Sequence, residues 1–116
     1  MRKGLLLLTT PFLLAALPAS ADDKAIAAAI SSGAYAQAEQ SIRAELRIYP
    51  SRPELLLNLA AVYAKTGRDA EARALYTKVL AQREVLMDQR ADKVLGSHKI
   101  ASIGLKRIAA VQMTSR

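Results

Sequence analysis

The chain has no cysteine and no tryptophan, one histidine and one phenylalanine. Without thiols there is no disulfide framework, no thiolate metal site and no cysteine nucleophile. Lipid attachment through a cysteine is excluded for the same reason. The lone His98 cannot supply the several Cys or His ligands that zinc prefers. It directly follows Ser97, but neighbours in sequence do not face each other on a helix, and no third member of a relay is evident. The expectation there is a capping serine followed by an exposed first-turn histidine. The five glycines stand singly, so no phosphate-cradling loop exists. Asp88 and Asp92 are four apart, yet Arg90 and Lys93 lie beside them, and the pattern reads as a solvated surface rather than an acid–base pair. The sequence thus offers no catalytic residue, no metal ligand set and no cofactor site, and no enzyme is expected.

What is present begins with a leader. Arg2 and Lys3 precede an apolar run from Leu5 to Leu17, broken only by Thr9, Thr10 and Pro11. Pro18-Ala19-Ser20-Ala21 then offers a small-x-small cleavage site before Asp22 and Asp23. This is the three-part pattern of a secretory signal peptide over residues 1–21, cleaved after Ala21. The run is short of the roughly 20 apolar residues of a membrane span, which favours cleavage over the alternative of an uncleaved anchor. Arg-Lys rather than a pair of arginines argues against twin-arginine export. Removing 21 of the 116 residues leaves 95, and takes away two of the 17 Lys and Arg but none of the ten acids, for a net charge of +5. A chain of this size buries only about 60–65% of its unfolded surface. With no disulfide available, its stability must come from helix packing or a partner. The positive balance favours anionic partners. The last third concentrates it in Arg90, Lys93, Lys99, Lys106, Arg107 and Arg116. With acids interleaved and no aromatic platform nearby, nucleic acid is not the expected partner.

The strongest positive signal is a register. Gly33 and Gly67 are 34 residues apart, and each is followed five places later by an alanine, Ala38 and Ala72. The same offset pairs Ala27 with Ala61, Ala36 with Ala70, Leu46 with Leu80, and Ile42 with Tyr76. Five helices are expected. The first runs from about Asp23 to Ser31 and ends at Ser32-Gly33, where glycine supplies the left-handed turn. The second runs from Tyr35 to Tyr49, with a buried stripe of Ala38, Ile42, Leu46 and Tyr49. Pro50-Ser51-Arg52-Pro53 breaks the chain, and Pro53 suits the first position of the third helix, which ends at Thr66-Gly67. Asp69 is expected to cap the fourth helix, which carries Ala72, Leu75, Tyr76, Val79 and Leu80. From Glu84 to Gly96 the spacing fits no clean template, and a continued helix and a loop both stay open. A last helix from about His98 to Met113 places Ile100, Ile103, Gly104, Ile108 and Val111 on one face.

A period of 34 is that of the tetratricopeptide repeat. Gly67-Arg68-Asp69-Ala70-Glu71-Ala72, with Tyr76, Val79 and Leu80, resembles the second half of that repeat. Leu56, Leu59, Ala60 and Tyr63 resemble its first half, and Gly33, Tyr35, Ala38 and Ile42, ending at Pro50, resemble an earlier copy. The chain departs from the pattern at Asp22, where Leu56 has its counterpart, at Glu45, and at Glu84, where a closing proline is common. The resemblance implies an all-α fold: a short right-handed α-α superhelix of two helical hairpins, residues 22–52 and 53–86. A connector over 87–96 and a capping helix over 97–116 would follow. It further implies a concave face lined by the first helix of each unit, here Ala27 and Ile30, then Glu54, Leu57, Asn58, Ala61 and Lys65. An asparagine stands at the place of Asn58 in the family's carboxylate-clamp members. Their other clamp residues correspond to Asp23 and Ala27, so the clamp does not carry over. The expected function is an exported scaffold in the bacterial envelope, most simply the periplasm, docking a protein or peptide on that face. The alternative is electrostatic binding of anionic envelope surfaces through the basic C-terminal helix. A short array also permits a homo-oligomer that buries its open end.

Overall fold

The computed structural model describes residues 19–88 and 93–114. Residues 1–18, and with them most of the expected signal peptide, lie outside the described residues. So do Arg90, Asp92 and Arg116. The described elements are α1 (Ala19–Ser31), α2 (Tyr35–Leu46), α3 (Pro53–Lys65), α4 (Asp69–Leu80), β1 (Leu86–Asp88), β2 (Val94–Gly96) and α5 (Ser97–Thr114). The expected all-α stack of two helical hairpins closed by a C-terminal helix is what forms.

The sequence register is reproduced by the backbone. α3 and α4 begin and end 34 residues after α1 and α2. In the first turn the Ala34 N–H donates to the Ala29 carbonyl at 2.8 Å, and in the second the Arg68 N–H donates to the Tyr63 carbonyl at 2.8 Å. Gly33 has φ +83° and Gly67 φ +81°, and neither would find a neighbour within 4 Å of an added β-carbon. Both glycines are therefore required by backbone conformation and not by space, since a β-carbon disfavours the left-handed region. Two copies of one turn, built from the same hydrogen bonds, aim two helix pairs alike.

α3 is the centre of the molecule. Leu55, Leu56, Leu57, Leu59, Ala60, Val62 and Tyr63 are all buried on this one helix. A helix apolar almost all round must be enclosed by neighbours, and α3 packs against α1, α2, α4 and α5. Pro53 opens it at a position where the missing N–H has no intrahelical partner anyway. Glu54 in its first turn and Lys65 in its last complement the helix dipole. Ala38 and Ala72, equivalent in the two hairpins, are both 0% exposed. Their small side chains let paired helices approach closely.

Four local expectations are corrected. α2 stops at Leu46, not Tyr49, which is 47% exposed. Pro50 disfavours the helical region for the residue before it, and the Tyr49 and Ile48 N–H groups both turn back onto the Glu45 carbonyl. Asp69 is not a cap: Arg68 holds the N-cap place of α4 and makes no side-chain cap bond. The stretch 84–96, left open between a continued helix and a loop, instead contains an antiparallel strand pair, with Leu86 opposite Gly96, Met87 opposite Leu95 and Asp88 opposite Val94. Met87 turns inward at 7% exposure while Leu86 is 74% exposed, the alternation of a strand pair lying on a core. Finally, the buried stripe of α5 is Ser97, Ala101, Gly104 and Ile108. Of the residues expected there, Ile100 and Ile103 are half-buried and Val111 is 60% exposed. Gly104 stays in the stripe, with Tyr76 of α4 lying over it and leaving no room for a β-carbon.

Tyr76 is 6% exposed, and burial pushes its phenol above the usual value, with the Arg107 charge opposing in part. The folded state thus favours the neutral phenol. Its contribution is intact below the unfolded value of about 10 and is lost as pH rises through the folded value. Thermal melts between neutral pH and about pH 11 should therefore show a steeper alkaline loss for the parent chain than for Tyr76→Phe. Parallel curves would show that Tyr76 is not the group responsible.

Candidate functional site

On the otherwise enclosed α3, one strip remains accessible. Glu54, Asn58 and Ala61 are half-buried and Lys65 is exposed. Their spacings of four, three and four put them on a single helix face. From α1, Ala27 is exposed and Ile30 is half-buried against the core. Leu57, expected in the same docking set, is 6% exposed and belongs to the core. It is next to Asn58 in sequence but is part of the core cluster.

The N-terminal end of the strip is electrostatically set. Arg52, in the loop before α3, bridges Asp23 of α1 at 2.8 Å and Glu54 at 3.5 Å. Its guanidinium also lies 5.7 Å from the centre of the Tyr49 ring. Glu54 thus shares one cation with Asp23, and one oxygen of Asp23, Oδ1, is buried without a hydrogen-bond partner among the described residues. Asn58 and Lys65 differ: neither side chain has a hydrogen bond or ion pair among the described residues. An amide offers two donors and an acceptor, the set that grips an extended backbone.

A second cluster, of which the sequence motif held Tyr63, Arg68 and Glu71 but not Glu39 or Arg43, joins the two hairpins. The Arg68 guanidinium lies 4.0 Å from the centre of the Tyr63 ring. Its Nη1 donates to Glu39 Oε1 at 2.9 Å, and its Nε and Nη2 donate to the two oxygens of Glu71 at 3.1 and 3.2 Å. Arg43 completes the group, donating through Nε to Glu39 at 3.0 Å and through Nη2 to the Tyr63 hydroxyl. The Arg68 hydrogen bond holds the Glu71 carboxyl below the usual carboxylate range, burial opposing. The arrangement binds α2, α3 and α4 together and leaves no group poised for proton transfer. Its one legible signal was Arg68 following Gly67, with Glu71 three places on.

An open depression of about 390 Å³ lies where α2 meets α3, lined by Arg43, Leu46, Arg47 and Leu59. It is not on the expected strip. Ser97 and His98 form no relay. The Ser97 Oγ accepts the Val85 N–H at 3.0 Å, and the Ser97 N–H donates to the Val85 carbonyl at 2.7 Å. His98 Nε2 is 2.7 Å from the Gln82 carbonyl and so carries the proton, while Nδ1 is 3.8 Å from Glu84. Serine and histidine each serve to fasten the hairpin segment to α5. Among the described residues no group of three or more His, Asp or Glu gathers as a metal site. No described helix is long and apolar enough to cross a membrane.

Stacked helical hairpins with one accessible strip on the central helix define a helical-repeat binding scaffold. The repeat is identified by comparison: the family model of the tetratricopeptide repeat matches residues 29–85, and this segment is a tetratricopeptide-repeat region. No curated protein and no solved structure gave a significant match. Repeats of this family are generally non-catalytic and bind protein partners.

Proposed function

We propose that the chain is an exported, non-catalytic scaffold that docks a protein or peptide along the accessible strip of α3. Asn58 holds the partner backbone by its amide, Lys65 pairs with an acidic group on it, and Ala61 gives the clearance for close approach. Leu57 forms the floor rather than a contact. The observation that carries this reading is the pair Asn58 and Lys65, polar and unengaged among the described residues, on a helix otherwise built as core. Export to the bacterial periplasm rests on the leader alone: Arg2-Lys3, the apolar run and the Pro18–Ala21 junction before Asp22.

A photo-crosslinking residue at position 58 tests the site in intact cells. It should trap a discrete partner that the same residue at exposed Gln37 of α2 does not trap. Lys65→Glu should lower the yield at least about fivefold, as expected when one partner of a charged contact is reversed. Equal yields from positions 37 and 58, or no response to Lys65→Glu, would count against the strip.

A further inference from the structure

α5 packs on α3 and α4 as α3 packs on α1 and α2. It therefore stands where the first helix of a third repeat would stand. Laying α5 over α3 from their first residues, Ser97 on Pro53, pairs Gly104 with Ala60, both small and both buried. It also pairs Leu55, Leu59, Val62 and Tyr63 with Lys99, Ile103, Lys106 and Arg107. In α3 those four are 0, 5, 0 and 5% exposed. In α5 the three cations are exposed and Ile103 is half-buried. The difference has a simple origin: α3 is enclosed from both sides of the stack, whereas α5 has α3 and α4 on one side and no described helix on the other.

Two observations select what this face receives. In both completed hairpins the equivalent place holds a helix, α2 against α1 and α4 against α3, so the shape required is a helix. The face carries Lys99, Lys106 and Arg107 around Ile103, with exposed Ala110 continuing it, and α5 contains no acidic residue at all. A second copy presenting the same face is repelled. An apolar stripe flanked by carboxylates is matched.

We propose that this face of α5 seats an acidic amphipathic helix of a partner protein, which completes the third hairpin from outside. Ile103 and Ala110 meet its apolar stripe, and the three cations meet its flanking acids. The inference shares with the reading above only the premise of a protein partner, and Asn58→Ala or Lys65→Glu should leave it untouched. That separates failure of one from failure of the other.

The test uses fluorescence anisotropy with a labelled synthetic amphipathic peptide as long as α5, its leucine stripe flanked by glutamates. The same peptide with lysines in place of glutamates, and phosphatidylglycerol vesicles, are run beside it. The glutamate peptide should bind saturably and the lysine peptide should not. The combined variant Lys99→Glu, Lys106→Glu, Arg107→Glu should lower affinity at least about tenfold, with circular dichroism unchanged, because opposed charges become like charges. Ile103→Ser should weaken binding even at high salt, where screening removes the charge term. Equal binding of both peptides would overturn the proposal. So would vesicle binding without peptide binding, or self-association of the chain that the triple variant abolishes.

Discussion

Gly104→Ala is expected to lower the stability of the folded chain by about 2 kcal/mol, the middle of the overpacking range. Glycine within a helix is ordinarily a weakness, and alanine there would gain roughly 0.5–1 kcal/mol. Here packing wins. A β-carbon on Gly104 would stand 2.6 Å from Cε1 and Cε2 of the Tyr76 ring and nearer still to Cζ. The ring is 6% exposed and cannot swing into solvent without opening the contact between α4 and α5. Urea denaturation measures the loss. The control is Tyr76→Leu, which costs stability alone but removes the ring that the new methyl strikes. In the Tyr76→Leu background Gly104→Ala should cost at least about 1 kcal/mol less than in the parent, a coupling expected of residues in direct contact. Additive losses would mean that Gly104 is kept for some reason other than Tyr76.

The second large effect is expected at Leu55. Leu55→Ala should cost about 2–5 kcal/mol, the range for a fully enclosed leucine. Leu55 is 0% exposed on the helix that touches four others. Truncation leaves a cavity that no single neighbour can fill by moving, because each is also held to another helix. Leu80 on α4 has the same side chain but is only half-buried, and Leu80→Ala should cost well under half as much. A domain with a total stability of about 5–15 kcal/mol would then be partly unfolded at 37 °C by the first substitution and not by the second. Similar midpoints for the two variants would refute the central place given to α3.

The hairpins were legible because what specifies them is local. A positive φ requires glycine, and Gly33 and Gly67 announce the turns 34 residues apart. Ala38, Ala72, Ile42 and Tyr76 fall at helical spacing, and periodicity needs no knowledge of the neighbour. The hairpin of β1 and β2 was not legible. Three-residue strands are too short to show an alternating pattern. What fastens them is the Ser97–Val85 pair, twelve residues apart in sequence. Arg68 could be read as following a turn glycine, but not as the cation lying on Tyr63 and shared by Glu39 and Glu71, since Glu39 lies 29 residues away.

The site divides in the same way. The family resemblance implied Glu54, Leu57, Asn58, Ala61 and Lys65 together on the concave side of α3, a set whose helical spacing puts them on neighbouring positions of one side. It could not say where the face ends. That depends on how closely the flanking helices approach, which is a property of the packed stack. The result separates adjacent residues: Leu57 is sealed into the core and Asn58 stays open. Composition, repeat length and the positions of the repeat helices were thus determined by the chain itself, through local conformation and spacing. The boundary of the strip on α3, the buried stripe of α5 and the cationic face left on α5 were decided only when the helices met, because burial is a relation between elements and is carried by none of them alone.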